Sequence, residues 1–142
     1  MTGIDKRLIE HTVRIGAPPE TVWRYWVDPV RVASWWGVAT RLEAEPGGAY
    51  RVEMETGSVM VGEFLELVPY ERIVFGFGWD GVAPGEPLAP GSTQVEVTLA
   101  PDGTGTRLTV RHHDMPAARW FDHATGWDHF LAVLADRAVT AA

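Results

Sequence analysis

Apolar and polar positions alternate along most of this chain, and only two stretches depart from that period. Leu8 to Ile15 places Ile9, Val13 and Ile15 in one phase and Glu10, Thr12 and Arg14 in the other, which predicts a half-buried strand. Ala17-Pro18-Pro19 ends it. Proline is tolerated in a first helical turn because its missing N–H would be unpaired there anyway, so a helix is expected to start near Pro19 with Val22, Trp23 and Trp26 as its apolar stripe. Asp28-Pro29 interrupts that helix, since a residue before proline avoids the helical region. Pro29 to Trp35 reads as a second short helix with Asp28 as its cap, closed by Trp35-Trp36-Gly37.

Strands follow. Ala39 to Ala44 leads into the turn Glu45-Pro46-Gly47-Gly48, and Ala49 to Thr56 alternates Tyr50, Val52 and Met54 against Arg51, Glu53 and Glu55. Val59 to Val68 is the next strand. Arg72 to Asp80 sets Ile73, Phe75, Phe77 and Trp79 on one face, against Val74, Gly76 and Gly78. The Pro- and Gly-rich stretch Gly81 to Gly91 reads as a loop within one domain, because strands resume beyond it. Ser92 to Ala100 and Thr106 to His112 are the last two, with Leu108, Val110 and His112 in phase. From Ala117 to about Val139 the period becomes 3.6: Trp120, His123, Trp127, Leu131 and Leu134 share one helical face.

The order is β-α-α-β-β-β-β-β-β-α. It predicts an α+β fold, a curved antiparallel sheet of about six to seven strands wrapped around a long C-terminal helix, as a single domain over residues 1–142. A curled sheet and one helix do not meet everywhere, so a cavity is expected between them.

Composition narrows the function. Net charge is −7 and there is one lysine, with no basic stripe, so nucleic acid is not an expected partner. No run approaches the ~18 apolar residues of a membrane span, so no membrane insertion is expected. The first residues, MTGIDKRLIEHTV, lack a signal-peptide apolar core, and the chain contains no cysteine, which fits a cytoplasmic location. Seven tryptophans are the unusual number. Each is either core or ligand wall.

The chain resembles the helix-grip superfamily (START-like, or SRPBCC), and within it the branch of chaperone-ATPase-activator homologues, the activator of heat-shock-protein ATPase homologue-like proteins. The resemblance is carried by Ala17-Pro18 through Val22-Trp23, Asp28-Pro29 through Trp35-Trp36-Gly37, Gly62-Glu63 through Glu66, and Pro69 through Arg72-Ile73-Val74-Phe75. It continues in His112 through Met115-Pro116 and in His123-Ala124-Thr125-Gly126-Trp127. It implies a sheet gripping the last helix, with a cavity open at one end. Relatives range over lipid and hormone carriers, polyketide cyclases and dehydratases, and chaperone-stimulating domains, so fold alone does not assign function.

Three readings follow. The first is binding of a small hydrophobic, aromatic or lipid-like molecule without chemistry, walled by Trp26, Trp36, Tyr50, Met54, Phe75, Phe77, Trp79, Trp120 and Trp127, with Glu63, His112 and His123 as polar contacts. The second is a polyketide cyclase- or dehydratase-like enzyme with Glu63 and His112 or His123 as acid and base. The third is a co-chaperone, a partner for which the sequence itself holds no support. Glu63 shares strand phase with Val59, Val61, Leu65 and Leu67; if that phase faces inward, burial raises its pKa. If Met60, Gly62 and Phe64 face inward, Glu63 is in water. His112 and His123 are expected to meet where strand and helix join, either as titrating groups or as partners of buried backbone. His112, His113, Asp114, His123 and His129 show neither HxH nor HExxH spacing, so no metal is expected. GxSxG, GxGxxG and P-loop motifs are missing, so neither a nucleophilic serine nor a nucleotide cofactor is expected. The Gly81–Gly91 loop and the second short helix are expected to flank the cavity mouth. A homodimer is open, though no apolar stripe demands one.

Overall fold

Proline placement sets the first corner of the fold. The computed structural model describes residues 6–140, so Met1–Asp5, part of the segment read as carrying no signal, lie outside the described residues. β1 (Lys6–Ile15) ends before Pro18, and α1 (Pro19–Val27) starts with Pro19 in its first turn. Asp28 is extended and its carboxylate accepts from the Val30 amide at 3.0 Å, capping α2 (Pro29–Val32). α2 is shorter than the pattern suggests. The chain leaves it in a tight turn, with Trp36 N–H on the Val32 carbonyl, and this turns two adjacent indoles inward.

Those indoles complete α1. The last carbonyls of a helix have no partner within it. The Arg24 carbonyl takes the Asp28 amide at 3.0 Å, the Tyr25 carbonyl takes Trp35 Nε1 at 2.6 Å, and the Trp26 carbonyl takes the Tyr50 hydroxyl at 3.2 Å. Aromatic side chains thus cap the helix and pin it to the sheet in the same contacts.

The remaining elements are β2 (Ala39–Leu42), β3 (Ala49–Glu53), β4 (Val59–Val68), β5 (Arg72–Phe77), β6 (Thr93–Asp102), β7 (Gly105–Pro116) and α3 (Ala117–Thr140). They form one curved antiparallel sheet of seven strands in the order β1-β7-β6-β5-β4-β3-β2, with α3 on its concave face, as the helix-grip reading anticipates. Trp127, Leu131, Leu134 and Ala138 form the buried stripe of α3. None of the helices among the described residues is long and apolar enough to cross a membrane.

Two strand irregularities matter. Opposite β1, the register slips between Arg7 and Ile9, where β7 carries an extra residue and Asp114 adopts φ 64°. β7 therefore continues to Pro116, four residues past the expected end. In β4, Phe64 pairs Phe75 but Glu66 pairs Val74, so one extra residue lies between them. Before this bulge Met60 and Phe64 face the core; after it Leu67 does, beside Ile73. Of the two phases left open by the sequence, that of Met60 and Phe64 faces inward before the bulge, and of Val59, Val61, Leu65 and Leu67 only Leu67 packs on the core.

The concave face is filled with rings. Tyr50 stacks on Phe75 at 4.1 Å between centroids, Trp36 on Phe77 at 6.3 Å, and Trp26 lies 4.8 Å from Trp35. Among the described residues, Trp26 Nε1 is the one buried side-chain donor without a hydrogen-bond partner. Leaving it so costs about 1–3 kcal/mol. Burying an indole of roughly 200 Å² returns about 5 kcal/mol, which exceeds that cost.

The convex face is polar, with Arg72 paired to Glu66 and Glu96, and His113 to Glu96 at 3.0 Å. β4 and β5 approach closely where Gly62 faces Gly76: a Cβ on Gly62 would collide with the Gly76 carbonyl oxygen. Gly62→Ala is therefore expected to destabilise by about 2 kcal/mol or more, as overpacking does, read as a lowered urea midpoint. An unchanged midpoint would mean that the two strands do not approach this way.

Candidate functional site

Ring packing leaves an apolar opening between the ends of β3 and β5 and the first half of α3. This cleft of about 220 Å³ is lined by Trp36, Met54, Phe77, Trp79, Asp122, His123, Gly126, Trp127 and Phe130. Of the residues expected to contact ligand, Trp36, Met54, Phe77, Trp79, His123 and Trp127 stand in this wall. Trp26, Tyr50 and Phe75 are fully buried core rings behind it. Trp120 turns away to β1, where its Nε1 donates to the Leu8 carbonyl at 2.9 Å.

Glu63 requires a correction. It is exposed on the convex face, in a groove with Gly62, Gly76, Pro90, Gly91 and Gln94, across the sheet from both histidines. The cause is the inward phase of Met60 and Phe64. Glu63, His112 and His123 thus do not form an acid–base set. That outer groove is wider, about 510 Å³, but its floor is glycine backbone and no ring lines it.

The expected cover also differs. Leu88 and Ala89 of the Gly81–Gly91 loop are buried, Trp79 N–H donates to the Leu88 carbonyl, and Pro90 and Gly91 line the outer groove. The loop packs against the sheet and contributes no residue to the cleft wall. Neither does α2.

The two histidines do meet, with ring centroids 6.4 Å apart and Phe77 against both. Their nitrogens are occupied. Trp127 Nε1 donates to His112 Nδ1 at 3.0 Å, so His112 carries its proton on Nε2 and gives it to Thr93 Oγ1 at 2.8 Å. Thr93 in turn donates to the Phe77 carbonyl at 2.8 Å. Trp79 Nε1 donates to His123 Nε2 at 3.1 Å, and His123 Nδ1 donates to the Arg119 carbonyl at 2.9 Å. Both rings are thereby held neutral. Burial pushes the His112 pKa down to about 3, with neighbouring His123 and His113 adding to the effect. Burial also lowers that of His123.

Asp122, Gly126 and Phe130 are wall residues that the sequence did not mark as ligand contacts, Gly126 standing there only within the His123–Trp127 motif. Gly126 carried a signal, because a glycine inside a helical stripe lowers helix stability and asks for a reason. A Cβ there would meet no atom within 4 Å, so the cleft reaches the helix backbone at this point.

A curved antiparallel sheet holding a C-terminal helix, with an opening at one end of the contact, defines a START-like, or SRPBCC, helix-grip protein. Over residues 16–138 the sequence matches the family described as activator of Hsp90 ATPase homolog 1-like protein, and the chain belongs to that family. An AHSA1-like protein from Rhizobium etli is 35% identical, with a TM-score of 0.73, over 94% of this chain and 82% of that one. A protein from Chromobacterium violaceum is 30% identical, with a TM-score of 0.77, over 92% of this chain and 96% of that one. DynU16, from the dynemicin biosynthetic locus, is 28% identical with a TM-score of 0.81; the match covers 94% of this chain but 48% of DynU16, about half its length. No curated protein matches the sequence.

The neutral histidines give a pH signature. In the unfolded chain each binds a proton below its ordinary pKa of about 6.5. Folded His112 does not do so until about pH 3. Stability is therefore full above pH 6.5 and falls as pH drops below it, by up to about 1.4 kcal/mol per pH unit for each histidine. Urea midpoints at pH 7.5 and 5.0 are expected to differ clearly, and His112→Gln to reduce that difference. Equal slopes in both proteins would show that His112 titrates normally.

Proposed function

We propose that this protein binds one compact apolar molecule, of one or two rings, in the cleft between Phe77, Trp79 and α3. The observation that supports the reading is Gly126. Glycine within a helix costs about 1 kcal/mol relative to alanine, and here an alanine methyl would meet open space. Giving up that stability where the cleft meets the helix suits a site kept open for an occupant, since local rules tend to be broken at functional positions. The size follows from the volume: 220 Å³ lies below the ~300–1,000 Å³ of drug-sized pockets. A lipid chain or a folded polyketide would exceed it.

Binding without proton transfer is favoured over acid–base catalysis. A general base needs a free lone pair within hydrogen-bond reach of its substrate. His123 spends its lone pair on Trp79, His112 spends its own on Trp127, and Glu63 is on the opposite face.

Two measurements test this. Native mass spectrometry of the purified protein is expected to retain a small apolar molecule. Titration with tert-butylbenzene is expected to shift the indole N–H resonances of Trp79 and Trp127. Gly126→Leu should weaken that binding at least tenfold while the fold persists, and Gly126→Ala should raise stability by up to about 1 kcal/mol. Glu63→Gln should leave binding unchanged. Undiminished binding in Gly126→Leu would place the site elsewhere.

A further inference from the structure

We infer that the occupant of the cleft carries a positive charge: a small organic ammonium whose apolar body lies among the rings and whose cationic centre faces Asp122. This rests on the cleft being the binding site, and it adds the ligand's charge.

The inference comes from what the wall offers. Trp36, Phe77, Trp79, Trp127 and Phe130 contribute five aromatic rings. An aromatic ring is negative over its face and positive at its edge. In an indole the N–H edge is the most positive part, and in Trp79 and Trp127 that edge is turned to a histidine nitrogen, at 3.1 Å and 3.0 Å. The acceptors also polarise these indoles, making the rings richer in electrons. Electron-rich rings attract cations over their faces, as in the aromatic cages that hold quaternary ammonium groups.

The ionisable groups agree. Asp122 and His123 are the two that line the cleft. His123 is kept neutral by burial and by its two hydrogen bonds, so it brings no opposing charge near neutral pH. Asp122 is exposed at the rim, on the same helix and next to His123. Arg119, one turn earlier, gives its backbone carbonyl to His123, and its side chain is not part of the wall. The wall itself therefore presents one carboxylate and no cation, and the Arg119 charge acts on His123 from outside the wall. A net charge of −7 on the whole chain raises the local concentration of cations further. A neutral hydrocarbon would use the apolar walls but neither the ring faces' charge nor Asp122.

Two probes of nearly equal shape separate the possibilities: trimethylphenylammonium and tert-butylbenzene, titrated into the intact protein and read by the indole N–H resonances. The cation is expected to bind at least tenfold more tightly at low salt. Asp122→Asn should reduce that preference severalfold while leaving tert-butylbenzene affinity unchanged, and raised salt should act in the same direction. Equal affinities, or tighter binding of the hydrocarbon, would overturn the charge assignment and leave the apolar site standing. If neither probe shifts the resonances in the wild type, both the site and its charge preference are wrong.

Discussion

The hydrogen bond from Trp127 to His112 sets the geometry on which the rest of the interior depends. It joins α3 to β7, one strand in from the edge of the sheet, at 3.0 Å, between two side chains removed from water. Each would lose about 1–3 kcal/mol if its polar atom were left unpaired there. The bond also chooses the imidazole tautomer, because a nitrogen that accepts carries no proton. His112 must then donate from Nε2, Thr93 accepts and passes its own proton to the Phe77 carbonyl, and β7, β6 and β5 are tied in one line. Helix height over the sheet follows. At that height Trp36 and Phe77 fit between the layers, 5.3 Å and 6.4 Å from Trp127.

A filled interior follows in turn. A helix and a curved sheet alone would enclose a chamber, and here aromatic rings occupy it. The rings also carry the polar duties of the chain ends around them: Trp35 and Tyr50 cap α1, and Trp120 takes a β1 carbonyl. This dual use explains why tryptophan and tyrosine join the leucines of the core at these positions. A leucine fills space but cannot satisfy a stranded carbonyl. At Gly126 the helix offers no side chain, and the cleft reaches its backbone there.

Much of this fold is legible in the chain. The ten elements follow from period, proline and glycine, because β5 and β6 have one apolar phase each and α3 has one stripe. The β4 phase was not legible, since Val59, Val61, Leu65 and Leu67 are as apolar as Met60 and Phe64. A bulge after Phe64 switches phase in mid-strand, and no local residue announces it. For that reason the sequence left Glu63 open between the two faces, and the inward phase of Met60 and Phe64 places it outside. Of the site, the aromatic wall was visible as an excess of tryptophan. Which rings reach the surface of the cleft was not, because it depends on contacts between residues 15 and 44 positions apart, such as His112 with Trp127 and Trp79 with His123. The resemblance, itself resting on that order of elements, implied the sheet gripping the last helix, but a shared fold leaves open whether a cavity is hollow or packed.

The same hydrogen bonds that build the cleft argue about what it does. Two histidines side by side in an apolar recess suggest proton transfer, and burial alone would lower their pKa in either case. Their partners decide the matter. A histidine that works as a base keeps one nitrogen toward the substrate and is oriented through the other. In this protein both nitrogens of both rings point at fixed groups: Trp127 and Thr93 for His112, Trp79 and Arg119 for His123. Freeing one would break a buried bond before any chemistry began. The histidines therefore act as acceptors that hold two indole walls in place. On the proposed reading, such a site, neutral in its depth and with a carboxylate at its rim, would select a ligand by shape and charge.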